Sequence, residues 1–190
     1  MYIMPDPEVA TSDYEHFASI PWCARHLRGS RIITGQPASR VSKSNGEDSL
    51  FSQTLRTQYT ILAMLEFYED PISPTDPVDS INTFLTLGSG LNGHPDICHG
   101  GIVAAIMDEV LGLLIPINQQ RGFLPERPYF TAYLNTTFVR PVPTCATILA
   151  RARAVKVEGR KYILEGRIED GDGNVLARAE AMFVFLRSKL

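Results

Sequence analysis

The run from His99 to Ile117 reads HGGIVAAIMDEVLGLLIPI, and it restricts the fold more than any other part of the 190-residue chain. Ile102, Val103, Ala105, Ile106, Met107, Val110, Leu111, Leu113, Leu114 and Ile115 cover every side of a helix with 3.6 residues per turn. A helix that is apolar all round is buried all round, either inside a curved sheet or between a sheet and a partner subunit. Two carboxylates, Asp108 and Glu109, interrupt the run. They point about 100° apart and so face different surroundings. Burying an unpaired carboxylate costs several kcal/mol or shifts its pKa upward. Each acid is therefore at a solvated edge, paired with an arginine such as Arg140 or Arg151, or functional. His99-Gly100-Gly101 open the helix. Glycine at a helix start allows close backbone approach, and the free N–H groups there bind an anion or a developing oxyanion.

The remaining periodicities place this helix in a mixed domain. Residues 1–13 read as a loose tail. Residues 14–79 read as an extension, with a short helix over Tyr14 to Leu27 capped by Ser12 or Asp13 and interrupted at Pro21. Arg31 to Thr34 reads as a short strand, Leu50 to Tyr68 has no clean period, and DPISPTDPVD (Asp70 to Asp79) is a proline-rich loop. Residues 80–190 form the core of what is one domain overall. Ile81 to Leu87 is a strand followed by a glycine-rich turn, and the helix follows. Then come four strands, Tyr129 to Val139, Ala146 to Val157, Lys161 to Glu169 and Val175 to Leu186, arranged as an antiparallel meander. Glu158-Gly159-Arg160 and Asp170 to Asn174 are hairpin turns by composition.

Composition narrows the function classes. Hydrophobic residues make up 44% and charged residues 21%, a globular balance. The net charge of −3 gives no general attraction to nucleic acid or to an anionic membrane. Three widely spaced cysteines read as reduced thiols, and the acidic N-terminal segment lacks the pattern of a leader, so a cytoplasmic protein is expected. No membrane span is expected either: the best candidate, Ile102 to Ile117, carries two acids and ends at a proline.

HGGIVAAIMDEVLG resembles the active-site helix of the PaaI-like acyl-CoA thioesterases of the hotdog superfamily. TAYLNTTFVRPVPTCATILARARAVKVEGRKYILEGRI resembles the strand that follows and its hairpin partners, so the resemblance covers roughly Ile81 to Leu186. IPWCARHL is similar to an extension of the fungal and animal branches. The resemblance implies an α+β hotdog fold, an antiparallel sheet wrapped around a long central helix, here with an N-terminal helical extension. It implies edge-to-edge pairing into a homodimer or homotetramer with sites at the pair's interface, and no cofactor.

It also implies roles. Asp108, nine residues after His99, is the catalytic carboxylate, as general base or nucleophile; Glu109 does not match that position. Gly100 supplies the N–H that polarises the thioester carbonyl, His99 orders the turn, and Thr131 positions water or substrate. Gly93 stands where relatives carry Asn or Gln, so its neighbours Asn92 and His94, with Gly101, are candidate substrate contacts. Arg140, Arg160 and Lys161 are candidates for a rim that holds coenzyme A phosphates. The long segment Pro116 to Pro128 departs from the pattern and is expected to be a loop. His94, Cys98 and His99 lie close in sequence, but no second ligand pair accompanies them and the family uses no metal.

The expected activity is hydrolysis of an acyl-CoA, or a related acyl thioester, to the free acid and thiol. The alternatives are release of an acyl or polyketide chain from an acyl carrier protein, a non-catalytic acyl-CoA-binding module, and a hotdog dehydratase. A coenzyme A enzyme calls for a basic groove, a carrier-protein enzyme only for a pantetheine tunnel, and a binding module gains nothing from a buried acid.

Overall fold

The computed structural model describes residues 7–187, with side chains from Ser12 onward. The chain forms helices α1 (Pro7–Ala18) and α2 (Pro21–His26), strand β1 (Ile32–Gly35), a 3₁₀ turn (Ala38–Arg40) and a π turn (Leu50–Thr54). Strands β2 (Ile61–Glu69) and β3 (Ser80–Leu87) follow, then the small hairpin β4 (Asn92–His94) and β5 (Ile97–Cys98). Helices α3 (Gly100–Gly112) and α4 (Leu114–Gln120) precede β6 (Tyr129–Phe138), β7 (Ala146–Glu158), β8 (Lys161–Glu169) and β9 (Val175–Phe185).

Seven strands form one antiparallel sheet in the order β1-β2-β3-β7-β8-β9-β6. Strands β7, β8 and β9 are the expected meander. Strand β6, which precedes them in sequence, crosses over to pair with β9, and this places Thr131 at an edge of the sheet. The alternation along β9 is the clearest: Ala177, Ala179, Ala181, Phe183 and Phe185 are all buried on the inner face.

Helix α3 lies across that inner face. Val103, Ile106, Met107, Val110 and Leu111 are buried with Ile81, Leu85, Ile148, Ala150, Leu164 and Phe183. Gly166 is what lets the helix approach: a Cβ there would stand 2.6 Å from the Arg151 carbonyl, beside Leu111 and Met107. The far side of α3, with Ala104, Ala105, Asp108 and Glu109, is only partly covered. By length and composition, Gly100–Gln120 does reach what a membrane span needs, with a mean hydropathy of 1.9, contrary to the expectation above. Half of it is buried inside the domain, which accounts for an apolar core helix.

The outer face of the sheet carries the extension. Helices α1 and α2 cover β2, β3 and β7 through a second core of Phe17, Cys23, Ala63, Leu65, Phe67, Phe84 and Leu149. Phe84 stacks on Phe67 at 4.8 Å and on Phe17 at 5.4 Å, with Trp22 edge-on at 5.3 Å. This double burial corrects three expectations. Strand β2 lacks a readable period because Ile61 and Met64 join the main core on one face and Ala63, Leu65 and Phe67 join the second core under the N-terminal helices on the other. The tail is helical from Pro7, and Pro21 opens a second helix at a first-turn position where its missing N–H costs nothing. The segment after Gly112 is not all loop: Pro116 sits in the first turn of α4, so only residues 121–128 connect helix to strand. Asn118, buried in α4, donates to the carbonyls of Val78 and Leu114 and accepts from the Val78 N–H, anchoring this turn.

Candidate active site

A cleft of about 800 Å³ opens beside α3, between the Ala38 to Asp48 segment on one side and the start of β6 on the other. Asp108 and Thr131 meet in it. The Thr131 hydroxyl donates to Asp108 Oδ1 at 2.9 Å, although the two residues are 23 apart in sequence. The crossover of β6 to the sheet edge creates this pairing, because it sets the first residues of β6 against the middle of α3. Beyond Asp108 the cleft runs past Gly112 and Pro116 to Tyr129 and Phe183, giving it an apolar wall.

The helix start is built as expected but lies elsewhere. His99 is the N-cap of α3, and its Nδ1 accepts from the Gly101 N–H at 3.0 Å. The Gly101 N–H is thus occupied, while that of Gly100 stands at the first helical position, where no intrahelical acceptor exists. Gly93 backs this turn: a Cβ there would stand 2.9 Å from His99 Cα. Gly100 and Asp108 are eight residues apart on one helix, about 12 Å along its axis at 1.5 Å per residue.

The second carboxylate is the strained one. Burial pushes the Glu109 carboxyl up to about 7; nearby Asp48 and Asp108 reinforce the shift, and the Ser39 hydroxyl and Lys43 oppose it. Ser39, Lys43, Glu47 and Asp48 come from the segment between β1 and β2 and line the same cleft. Lys43 is held by Asp48 at 2.5 Å and by Glu47 at 3.0 Å. The backbone of this wall is fixed by Arg40, which is 1% exposed and donates to the carbonyls of Phe51 (3.2 Å), Leu55 (3.2 Å) and Ile61 (3.0 Å).

A pH dependence of stability follows from Glu109. Below pH 4.5 the carboxyl is neutral in both the native and unfolded states. As pH rises from there to about 7, only the unfolded chain ionises, so stability is lost across that window and levels off above it. A shift of this size corresponds to a loss of up to about 3 kcal/mol. Chemical denaturation at about pH 5 and pH 8 is expected to show Glu109→Gln gaining on wild type as pH rises. An equal difference at the two pH values would argue against a strained carboxyl.

The other anticipated contacts are scattered. Asn92 Oδ1 accepts from the Thr144 hydroxyl at 2.5 Å, and His94 is exposed on the β4-β5 hairpin. Arg140 is exposed and donates to the Val175 carbonyl at 2.8 Å; Arg160 donates to the Phe185 carbonyl at 2.9 Å; Lys161 is exposed. None of these residues lines the cleft, whose cations are Lys43 and Arg127. Among the described residues neither Asp108 nor Glu109 pairs with an arginine: Arg151 pairs with Glu169 at 2.8 Å. Among the described residues no three His, Cys, Asp or Glu side chains gather as a metal site. On the outer face, Arg151, Arg167 and Arg178 stand in register across β7, β8 and β9 and line a separate groove of about 580 Å³, with Glu169 bridging the first two. Ser39, Lys43, Glu47 and Asp48 escaped the sequence reading because a polar loop carries no period that would tie it to the helix.

Residues 96–177 match the model of the thioesterase superfamily. Verlamelin biosynthesis protein B of Lecanicillium sp. is 26% identical over 202 residues, spanning 90% of this chain and 87% of that protein. Acyl-coenzyme A thioesterase THEM4 of Mus musculus is 31% identical over 100 residues, 52% of this chain and 40% of that protein. Acyl-coenzyme A thioesterase THEM5 of Homo sapiens is 26% identical over 163 residues, 85% of this chain and 60% of that protein. The chain thus spans less than two thirds of the length of either THEM relative. Among solved structures, a thioesterase from Haemophilus influenzae superposes with a TM-score of 0.51 at 15% identity, over 59% of this chain and 75% of that one. AziG of S. sahachiroi does so with a TM-score of 0.50 at 21% identity, over 62% and 89%. Those two likenesses are of fold, a sheet wrapped on one long helix, and the match to the thioesterase superfamily model lies within that core, over residues 96–177.

Proposed function

We propose that the protein hydrolyses an acyl thioester to the free acid and the thiol, with Asp108 as the base. The observation that carries this reading is the Thr131–Asp108 hydrogen bond in the wall of a substrate-sized cleft. Thr131 occupies Oδ1 and holds the carboxylate in one orientation, leaving Oδ2 to take a proton from water. Water attacks the carbonyl carbon, the oxygen that gains charge is held by the Gly100 N–H, and the thiolate leaves with the proton that Asp108 had accepted. The names of the THEM relatives support coenzyme A as the thiol carrier. A thiol-release assay across an acyl-CoA panel, with acyl carrier protein substrates alongside, tests the reading. Turnover of neither kind would refute it.

A second carrier has its own support. The cleft holds the acids Glu47, Asp48, Asp108, Glu109 and Glu126 against the cations Lys43 and Arg127, a poor setting for nucleotide phosphates. The relative that matches nine tenths of this chain is a biosynthesis protein. Both observations favour release of an acyl chain from a carrier protein, whose pantetheine arm is all that enters.

The mechanism requires a second copy. Gly100 and Asp108 are about 12 Å apart along one helix and cannot serve a single thioester, which needs donor and base within about 3 Å of neighbouring atoms. Gly100 of one protomer then works with Asp108 of its partner. Strand β6 is the edge where such a pair joins: it pairs with β9 only and exposes Phe130, Phe138 and Val139. Sedimentation at micromolar concentration is expected to show a dimer or a multiple of it. An active monomer would rule out the shared site.

A further inference from the structure

Glu109 is a cleft residue that thioester hydrolysis as described above does not use. It makes no ion pair among the described residues, although it is largely removed from water. Ser39 lies beside it and is nearly buried, at 5% exposure; its hydroxyl is close enough to influence the carboxyl but has no partner in good hydrogen-bond geometry. Both residues line the cleft that holds Asp108 and Thr131. Buried polar groups in native proteins are nearly always satisfied, and a fold that needed only a filled wall would be better served by apolar side chains of similar size. A buried Ser39 hydroxyl without a partner in good geometry, beside a carboxyl that burial raises and in the lining of the same cleft, calls for a ligand atom that both can reach.

The surroundings define the chemistry of that atom. Ser39 can donate or accept, and a carboxyl raised to about 7 keeps a protonated form at neutrality that donates. Lys43, the nearby cation, is committed to Glu47 and Asp48. With Asp48 and Asp108 on either side of Glu109, the local field repels an anion. Ser39 is supplied by the segment that Arg40 fixes, outside residues 96–177, so this half of the subsite comes from the extension and only Glu109 from the region that matches the superfamily model.

We propose that Glu109 and Ser39 form a specificity-determining subsite that hydrogen-bonds an uncharged oxygen substituent, hydroxyl or keto, on the acyl chain, and that disfavours chains ending in a carboxylate. The proposal rests on the thioesterase reading given above. A neutral hydrogen bond is worth about fivefold in affinity, and a site built around a substrate oxygen discriminates further against the analogue that lacks it. The preference is therefore about tenfold or more in kcat/KM.

The test uses the full chain and acyl-CoA or acyl-carrier substrates of one chain length: unsubstituted, hydroxylated at successive carbons, carrying a keto group, and ω-carboxylated. At one position along the chain the oxygenated substrate is expected to exceed the unsubstituted one about tenfold or more, mainly through KM, with the ω-carboxylated substrate poorest. Glu109→Leu and Ser39→Ala are each expected to move that ratio toward one. Glu109→Gln, whose amide still donates, is expected to retain most of it. If Glu109→Leu does not fold, Ser39→Ala, a loss of one oxygen, decides alone. A flat ratio in wild type, or a ratio unchanged in Ser39→Ala, overturns the subsite. Where turnover of unsubstituted thioesters is present and depends on Asp108 while the ratio is flat, the subsite falls and the thioesterase reading stands. Where wild type hydrolyses no thioester of the set, both fall.

Discussion

Asp108→Asn is expected to lower kcat for thioester hydrolysis by at least about 10²-fold, in the range typical of losing a general base. The substitution keeps the size of the side chain and can still accept the hydrogen bond from Thr131, so the cleft and substrate binding survive while the proton acceptor is gone. KM is expected to change little, because the lost interaction is made in the transition state. Thr131→Ala removes a positioning contact and costs less, about tenfold, on the same scale as one neutral hydrogen bond. Glu109 stands one residue away in the same cleft, so the assignment is open to direct contradiction. If Glu109→Gln abolishes turnover in a folded protein and Asp108→Asn does not, the base is misplaced by one residue. Circular dichroism and steady-state kinetics on the same preparations separate loss of fold from loss of chemistry.

Arg40→Leu is expected to destabilise the domain by on the order of 3–5 kcal/mol, the range for removing one member of a buried charged network. Burial lowers the Arg40 pKa to about 10, with nearby Asp13 opposing, so the guanidinium remains charged at neutral pH. Its donors hold three main-chain carbonyls that bracket the π turn and the start of β2. Leucine fills the space but removes all three donations; the Leu55 carbonyl keeps the Ile61 N–H at 3.0 Å, while those of Phe51 and Ile61 lose their arginine donor, and each such loss is costly. Against a total stability of about 5–15 kcal/mol this is a large fraction. Arg40→Lys is expected to recover little, since an ammonium is a point donor and not a planar fork that can reach carbonyls on two sides. Because Ser39 and Lys43 flank Arg40, the wall of the cleft loosens with it, and activity declines at temperatures where the native state is still populated. Urea denaturation checks the first claim; a loss under about 1 kcal/mol would mean that the carbonyls find water once the arginine is gone.

Much of the core was legible in order. Strands β8 and β9 each have one covered and one open face, so their period of two survives in the sequence, and Gly159 and Gly173, at φ +59° and +83°, mark the turns before them. Strand β2 was not legible, because layers on both faces erase the alternation. The π turn at Leu50–Thr54 is tied to the 3₁₀ turn at Ala38–Arg40 by the side chain of Arg40, through contacts between residues 11 and 15 apart that no local propensity announces.

The sequence by itself determined that the helix after His99 is a core helix, that carboxylates interrupt it, and that His99-Gly100-Gly101 open it, since each of these depends on residues within a few turns of one another. Tertiary structure alone decided the rest of the site. It chose β9 as the neighbour of β6, which brings Thr131 to Asp108, and it laid the Ala38 to Asp48 segment over Glu109. It also separated the two acids that are adjacent in sequence. Asp108 receives a hydroxyl from a strand at the sheet edge, whereas Glu109 faces a loop whose lysine is paired with Glu47 and Asp48. The difference is physical: helical periodicity fixes which way two side chains point, but only the layers that pack against them fix how much water, charge and hydrogen bonding each one meets.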